Sequence, residues 1–482
     1  MKKSFKVISL ALVLTLILTA LIGCSSQEVS EPASDTAENK STDIVVIGSG
    51  GAGLSAAIEA NDAGKEVIVV EKMPMVGGNT LRATGGLNAA GTSSQAAIGI
   101  EDSVASHYED TMKGGYEKND PELVEALTSQ AAEAVEWLIE LGADLSDVGR
   151  MAGASQNRSH RPTGGAPVGA HLVQVLKEAA EEKGIEILTE TTALEILTED
   201  GEIKGIIAKD KNNNEFTIEA TAVIVATGGF GSNTTMITEY DAALDGFGTT
   251  NHPGATGDGI SMAVAVGADL VDMVEIQTHP TVVPDNGYMI TEAVRGNGAI
   301  LINRDGQRFV NELGTRDVVS EATLEQEEQT AFLFFDEGIR ESLSAIEGYI
   351  RQGFTTEADS IEELAEALGI DAENLTATVE AYNGYVAAGD DQDFGRDDMP
   401  RSLENSKFYA IEVGPAVHHT MGGLRINALG QVLDNEGTPI SGLYAAGEVT
   451  GGVHGGNRLG GNALADLIVF GRLAGKSAGS DL

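Results

Sequence analysis

Apolar positions recur along the chain with two different periods, and the switches between them mark its elements. The unbroken apolar run of Asp43-Ile44-Val45-Val46-Ile47 predicts a parallel strand buried on both faces. It runs into Gly48-Ser49-Gly50-Gly51-Ala52-Gly53, after which Leu54 to Ala63 continues with helical spacing. Glu66-Val67-Ile68-Val69-Val70 predicts a second strand, ending on Glu71. Gly48, Gly50 and Gly53 form G-x-G-x-x-G: the first turns tightly, the second admits a pyrophosphate, the third lets helix pack on strand. The helix N-terminus offers unpaired N–H groups to phosphates, and Glu71, about 20 residues on, is placed to bind ribose hydroxyls. Strand, loop, helix, strand and acid in this order predict a dinucleotide-binding unit.

The following stretch, Met75 to Asn88, is too glycine-rich for regular structure and reads as a loop wrapped on a ligand. Amphipathic helices are expected over Asn119 to Leu141, with Asp120 and Pro121 at its start, and over Val168 to Glu182. From Ile185 to Val225 short strands alternate with turn clusters, which predicts a β-meander. It ends in a buried strand that enters Gly228-Gly229, and Thr256-Gly257-Asp258-Gly259 opens a helix to Gly267. Near Glu275 the character changes. As far as about His419, short strands (Ala299 to Asn303, Ala331 to Phe335) mix with acidic helices (Ser360 to Leu368, Glu373 to Ala388). The last stretch returns to the character of the first. Leu424 to Asp434 reads as a hairpin-like pair and Gly442 to Glu448 as a strand entering a glycine turn. Gly460-Gly461-Asn462-Ala463-Leu464 opens a terminal helix. The pattern predicts one domain built from both ends of the chain and interrupted by an inserted cap, an arrangement that forms pockets readily.

Composition changes this picture in two places. The 482 residues carry a formal charge of −44, which points away from nucleic acid and requires any anion site to be local and pre-formed. The N-terminus reads as targeting: Lys2, Lys3 and Lys6 precede an apolar run from Val7 to Ile22, followed by Leu21-Ile22-Gly23-Cys24. That ending resembles a bacterial lipobox, which implies cleavage before Cys24, lipidation of Cys24 and anchorage to the outside of the bacterial cell membrane. Removal of residues 1–23 takes three lysines and no acid, so −44 becomes −47. Residues 24–42 then form a flexible tether. With Cys24 as the one cysteine there is no intramolecular disulfide, no cysteine-based metal site and no C-x-x-C-H for covalent haem. No metal site is expected.

Several longer motifs carry a resemblance: Arg158-Ser159-His160-Arg161-Pro162, Ile290-Thr291-Glu292-Ala293-Val294-Arg295-Gly296, Thr315-Arg316-Asp317, His418-His419-Thr420-Met421-Gly422-Gly423 and Asn457-Arg458-Leu459-Gly460-Gly461-Asn462. From Asp43 onward the chain resembles the flavoprotein subunit of the fumarate reductase and succinate dehydrogenase family, in its soluble branch that includes flavocytochrome c. The resemblance implies an α/β fold: a Rossmann-like FAD-binding domain (43–273 and 420–482) with an inserted α+β capping domain (274–419). It implies FAD contacts at Gly48, Gly50, Gly53, Glu71, Asn79, Thr80, Gly85, Gly86, Asp258, His419, Glu448, Ala463 and Leu464. Two departures stand out. The haem domain of flavocytochrome c has no counterpart, its place being taken by the expected anchor and tether. Asn79 stands where the membrane-complex enzymes carry a histidine bonded to the flavin, so FAD is expected to be non-covalent.

The same resemblance implies reduction of fumarate to succinate, with hydride from flavin N5 and a proton from Arg316. His418 and Arg458 are expected on one substrate carboxylate, with His279, Thr291 and Glu292 around the other. Glu292 and Arg295 form a relay that refills Arg316. Arginine suits a carboxylate because its planar fork makes two parallel bonds, and cations pre-placed where charge develops lower the barrier most. Arginine as an acid is unusual, because its pKa is above 12. By spacing alone, Arg316-Asp317 and Glu292/Arg295 read as exposed ion pairs; their role rests on the resemblance. His107 and His252 are expected in surface or loop positions, and His160, His171 and His454 in structural hydrogen-bond networks. Arg308 and Glu312 read as cap packing, and Met151 and Met289 as apolar walls. Electrons must come from an external donor, a flavin- or haem-bearing protein or a quinol. The alternatives are a reductase of another small enoate (methacrylate, crotonate, urocanate or an aryl acrylate) and a non-enzymatic surface electron carrier.

Overall fold

The computed structural model describes residues 38–284 and 286–482. The expected signal segment, Cys24 and most of the expected tether lie outside the described residues. At the centre is a six-stranded sheet in the order Gln431–Leu433, Pro439–Ala445, Ala222–Val225, Ile44–Ile47, Val67–Val70, Glu186–Leu188. The last five run parallel, and Gln431–Leu433 closes the edge antiparallel. Ile44, Val45, Val46 and Val69 are fully buried, as unbroken β-branched runs covered on both faces should be. Register aligns Ile47 with both Val70 and Val225, and Val225 with Ala445, so four strands end level. The loops that leave this edge carry Gly48, Glu71, Thr227-Gly228 and Glu448.

The two ends of the chain meet through helix packing. Helix Gly51–Asp62 lies against the terminal helix Asn462–Asp481 along Gly471, Gly475 and Gly479, which recur every fourth residue. A Cβ on Gly471 would sit 2.6 Å from the Ala52 carbonyl oxygen, and one on Gly475 2.3 Å from that of Ala56. Only glycine allows these backbones so close.

Two expectations from the sequence need correction here. The stretch from Ile185 to Val225 is not one meander. Its first and last strands, Glu186–Leu188 and Ala222–Val225, belong to the central sheet, and only Thr192–Glu199, Glu202–Lys209 and Glu215–Glu219 pair antiparallel in succession. Long-range parallel partners decide this, and local turn signals do not report them. The end of the expected tether is also part of the fold, because Lys40–Ser41 adds a fourth strand to these three, in parallel with Glu215–Glu219. A smaller difference lies in the glycine-rich loop, where Gly78–Arg82 forms a short 3-10 helix and Leu87–Asn88 a strand.

The cap is built on the strands Tyr288–Met289, Ile276–Val283, Phe408–Thr420, Ala331–Asp336 and Ile300–Ile302, in that order. Its core is Leu301, Leu333, Phe334, Phe335, Tyr382 and Tyr409, all fully buried. Ile276–Val283 and Phe408–Thr420 pair antiparallel. Their register slips once where it matters: Thr278 faces Val417 and Gln277 faces His419, leaving His418 as an extra residue. Such a bulge turns two successive side chains toward one side. His418 and His419 accordingly both line the same cavity.

Candidate active site

A cavity of about 810 Å³ opens at the level ends of the central strands and continues under the cap. Of the residues expected around a cofactor, Gly48, Gly50, Glu71, Asn79, Thr80, Gly85, Gly86, Asp258, His419, Glu448, Ala463 and Leu464 form its wall. Gly53 does not. A Cβ there would lie 1.9 Å from the Gly48 carbonyl oxygen, so Gly53 serves the packing of helix on strand. Gly48 holds φ at 104°, the tight turn that the motif requires.

The wall fits a long polar ligand. Glycines at 50 and 461 cap two of the helices that start on the cavity and have no side chain to spend on the first-turn N–H groups. Glu71 is held by the Ser49 N–H and hydroxyl on one oxygen and the Met73 N–H on the other. That fixes the carboxylate and leaves lone pairs free. Asp258 accepts from Lys72 at 2.6 Å and from Thr256 at 2.8 Å. Among the described residues, both ring nitrogens of His419, Nε2 of His279 and Nε of Arg458 are buried without a hydrogen-bond partner. Buried polar atoms are rarely left so, and these are places for a ligand to complete.

Under the cap, the remaining expected residues converge. His279 and His418 meet edge-on with ring centroids 5.0 Å apart, and His418 Nδ1 is 2.7 Å from Thr250 Oγ1. Arg316 opens the helix Arg316–Leu324 and donates through Nε to Glu292 at 2.9 Å. Arg295 lies behind the wall, fully buried, 3.9 Å from the same Glu292 oxygen and donating to the Glu312 carbonyl at 2.6 Å. Thr291, Met151 and Met289 also line this end. Burial and the neighbouring arginines pull the pKa values of His279 and His418 well below the usual imidazole range, so both rings are neutral. Burial raises the Glu292 carboxyl, but Arg316 and Arg295 outweigh it and hold the group below its ordinary pKa. Arg458 falls to about 9, first through burial and then through repulsion by Arg316.

One residue at this centre carries no signal in the sequence. Gln277 accepts from Arg316 at 3.1 Å and from Arg458 at 3.0 Å through a single amide oxygen. Its amide nitrogen donates to Asn457 and to the Arg458 carbonyl. A neutral acceptor thus spans two guanidiniums without cancelling either charge. Its place two residues before His279 on a strand was the one available hint.

Among the other histidines, His107 corrects the expectation of a surface position. It is 1% exposed, lies 3.1 Å from Asn462 Oδ1 and is lowered to about 4 by burial. Its helix, Val104–Gly114, turns that side toward the start of the terminal helix. His252 is a half-buried loop residue on the cavity wall. His160 bonds to Thr92 at 2.7 Å, and His171 accepts from the Asp144 N–H. His454, expected in a hydrogen-bond network, has no hydrogen-bond partner on either ring nitrogen among the described residues. It sits 3.5 Å from Asp466 and edge-on to His419.

Residues 43–464 match the model of the FAD binding domain family. A fumarate reductase (cytochrome) of Shewanella frigidimarina is 52% identical over 444 residues, 92% of this chain and 78% of that protein. The chain belongs to the fumarate reductase/succinate dehydrogenase flavoprotein family. A second member, an NADH:fumarate oxidoreductase of Klebsiella pneumoniae, is 46% identical over 95% of this chain and 50% of its own length. The solved open conformation of a flavocytochrome c3 fumarate reductase superposes with a TM-score of 0.79 at 44% identity, covering 92% of this chain and 78% of that one. In this family frame the cofactor is FAD, and the protein is an oxidoreductase of the CH–CH class.

Proposed function

We propose that this flavoprotein reduces fumarate to succinate with electrons from an external redox partner. The observation that carries the reading is charge. At the substrate end Arg316 and Arg458 line the cavity beside the neutral rings of His279 and His418, with Arg295 buried behind them. Guanidiniums gathered at one end of a cavity, in a molecule of net −44, suit an anionic substrate such as a dicarboxylate.

FAD, when bound and reduced, supplies hydride to one alkene carbon. Arg458 and His418 hold one carboxylate; His279 and Thr291 donate to the other, with Glu292 beside it. Arg316 gives a proton to the second alkene carbon. As it does so, the charge that keeps Glu292 ionised disappears. Glu292 therefore becomes the next seat for a proton, and Arg295 stands behind it. The neutral arginine never accumulates, which is what lets so weak an acid serve.

Assayed with chemically reduced viologen against fumarate, crotonate, methacrylate, urocanate and cinnamate, the protein is expected to favour fumarate by about 10²-fold or more, because the monoanions leave one of the two buried carboxylate-binding sets unpaired. Preference for a monocarboxylate would assign the site to another enoate, and no stimulation by any acceptor would leave an electron carrier.

FAD is held without a covalent bond in this reading. The Asn79 amide carries no nucleophilic nitrogen, and it is occupied by Asn251 and Glu448 as acceptors and the His252 N–H as donor. Acid precipitation is expected to release all the flavin to the supernatant; yellow protein in the pellet would refute it.

A further inference from the structure

The turn between helices Val104–Gly114 and Pro121–Glu140 has an unusual backbone and touches three segments that matter. Tyr116 and Glu117, neither of them glycine, hold φ at 59° and 56°. Two successive side-chain-bearing residues in the left-handed region cost energy that only surrounding contacts can offset, and such strain gathers at functional sites.

The contacts go in three directions. Gly115 accepts from the Gly456 N–H at 2.9 Å, and Gly114 from Asn457 Nδ2 at 3.1 Å, which ties the turn to the loop bearing Arg458. The Tyr116 hydroxyl crosses to the cap, where it donates to the Asp317 carboxylate and lies 3.4 Å from Thr315 Oγ1. These two residues flank Arg316. Lys118 pairs with Glu275, two residues before Gln277. One strained turn thus grips the neighbours of Arg458, Arg316 and the glutamine that bridges them.

We propose that Tyr116 is a positioning residue: through Asp317 and Thr315 it latches the cap to the Gly114–Asn119 turn and sets the spacing of Arg316 from Arg458. The inference rests on the reading of Arg458 as a carboxylate clamp and of Arg316 as the proton donor. A plain surface ion pair, such as Lys118–Glu275, contributes little by itself. Tyr116, itself half-exposed, differs because its bond joins the turn to the first turn of the helix that presents Arg316, and it does so from a backbone in the left-handed region.

The test uses the FAD-loaded protein with Tyr116→Phe, Asp317→Asn and the double variant. Tyr116→Phe is expected to raise KM for fumarate about tenfold with kcat changed less than about threefold, and the double variant to be no worse than the worse single. Hydrogen exchange is expected to quicken together in residues 315–324 and 453–458, with FAD content unchanged. KM within about twofold of wild type, or effects that multiply in the double variant, would overturn the latch. Exchange needs no substrate, so it separates this idea from the proposed activity. If wild type fails to reduce fumarate, the activity falls, and unchanged exchange in Tyr116→Phe still sinks the latch.

Discussion

Replacing Arg316 by alanine is expected to lower kcat for fumarate by about 10⁴-fold or more while FAD stays bound. Two losses combine. The proton source disappears, and so does one of the two guanidiniums that Gln277 holds toward the substrate end. Glu292 also loses its 2.9 Å partner and keeps only Arg295 at 3.9 Å and the Ala152 N–H at 3.2 Å. Its carboxylate, now under-compensated in a buried site, should protonate more readily, but no group remains to carry that proton to the alkene. Arg316→Lys restores a charge without the planar fork, so it should recover only part of the rate. Flavin absorbance with photoreduced protein checks cofactor binding, and viologen-linked turnover checks rate. Turnover by the alanine variant within about tenfold of wild type would remove Arg316 from the chemistry.

How much of this was open to a reader of the sequence depended on distance along the chain. Strand Ile44–Ile47, helix Val168–Glu182 and strand Ala331–Asp336 follow from residues adjacent or four apart, and their limits fall within a residue or so of the expected ones. The partners of Glu186–Leu188 and Lys40–Ser41 lie elsewhere in sequence, and no local pattern names them. The same division runs through the candidate site. The glycine loop and Glu71 are legible as chemistry. His418 and His419 are legible as residues, but that both face one cavity depends on a single register slip against Gln277 and Thr278. Burial was hardest to foresee. His107 sits among polar neighbours in sequence and is enclosed only when the terminal helix docks on it.

Arg308 and Glu312, read from the sequence as cap packing, prove to be the middle of a buried ionic cluster, and the second large effect is expected there. Glu312 has no exposed side-chain surface. It accepts from Arg308 twice at 2.8 Å and from Arg396 at 3.2 Å, while its own carbonyl holds Arg295. Asp391 takes the other edge of Arg308 at 3.1 and 2.9 Å. Burial alone would weaken the proton on Arg308; the two carboxylates outweigh it and hold its pKa above the ordinary value. Glu312→Gln keeps the volume but leaves the buried guanidiniums of Arg308 and Arg396 with Asp391, on Arg308, as the one remaining carboxylate partner among the described residues, while Arg295 keeps Glu292 at 3.9 Å. Breaking a buried pair by removing one partner costs about 3–5 kcal/mol, because the charges left behind have lost their solvent and their counter-ion. For a unit of this size the midpoint of thermal unfolding should therefore fall by roughly 3–7 °C. Adding Arg396→Met to Glu312→Gln removes one stranded charge and should recover part of the loss, which a simple packing role would not predict. Because Arg295 is held by the Glu312 backbone and not by its carboxylate, turnover below the midpoint should stay within about tenfold of wild type. A midpoint shift under about 2 °C would mean that water or rearrangement already compensates the cluster.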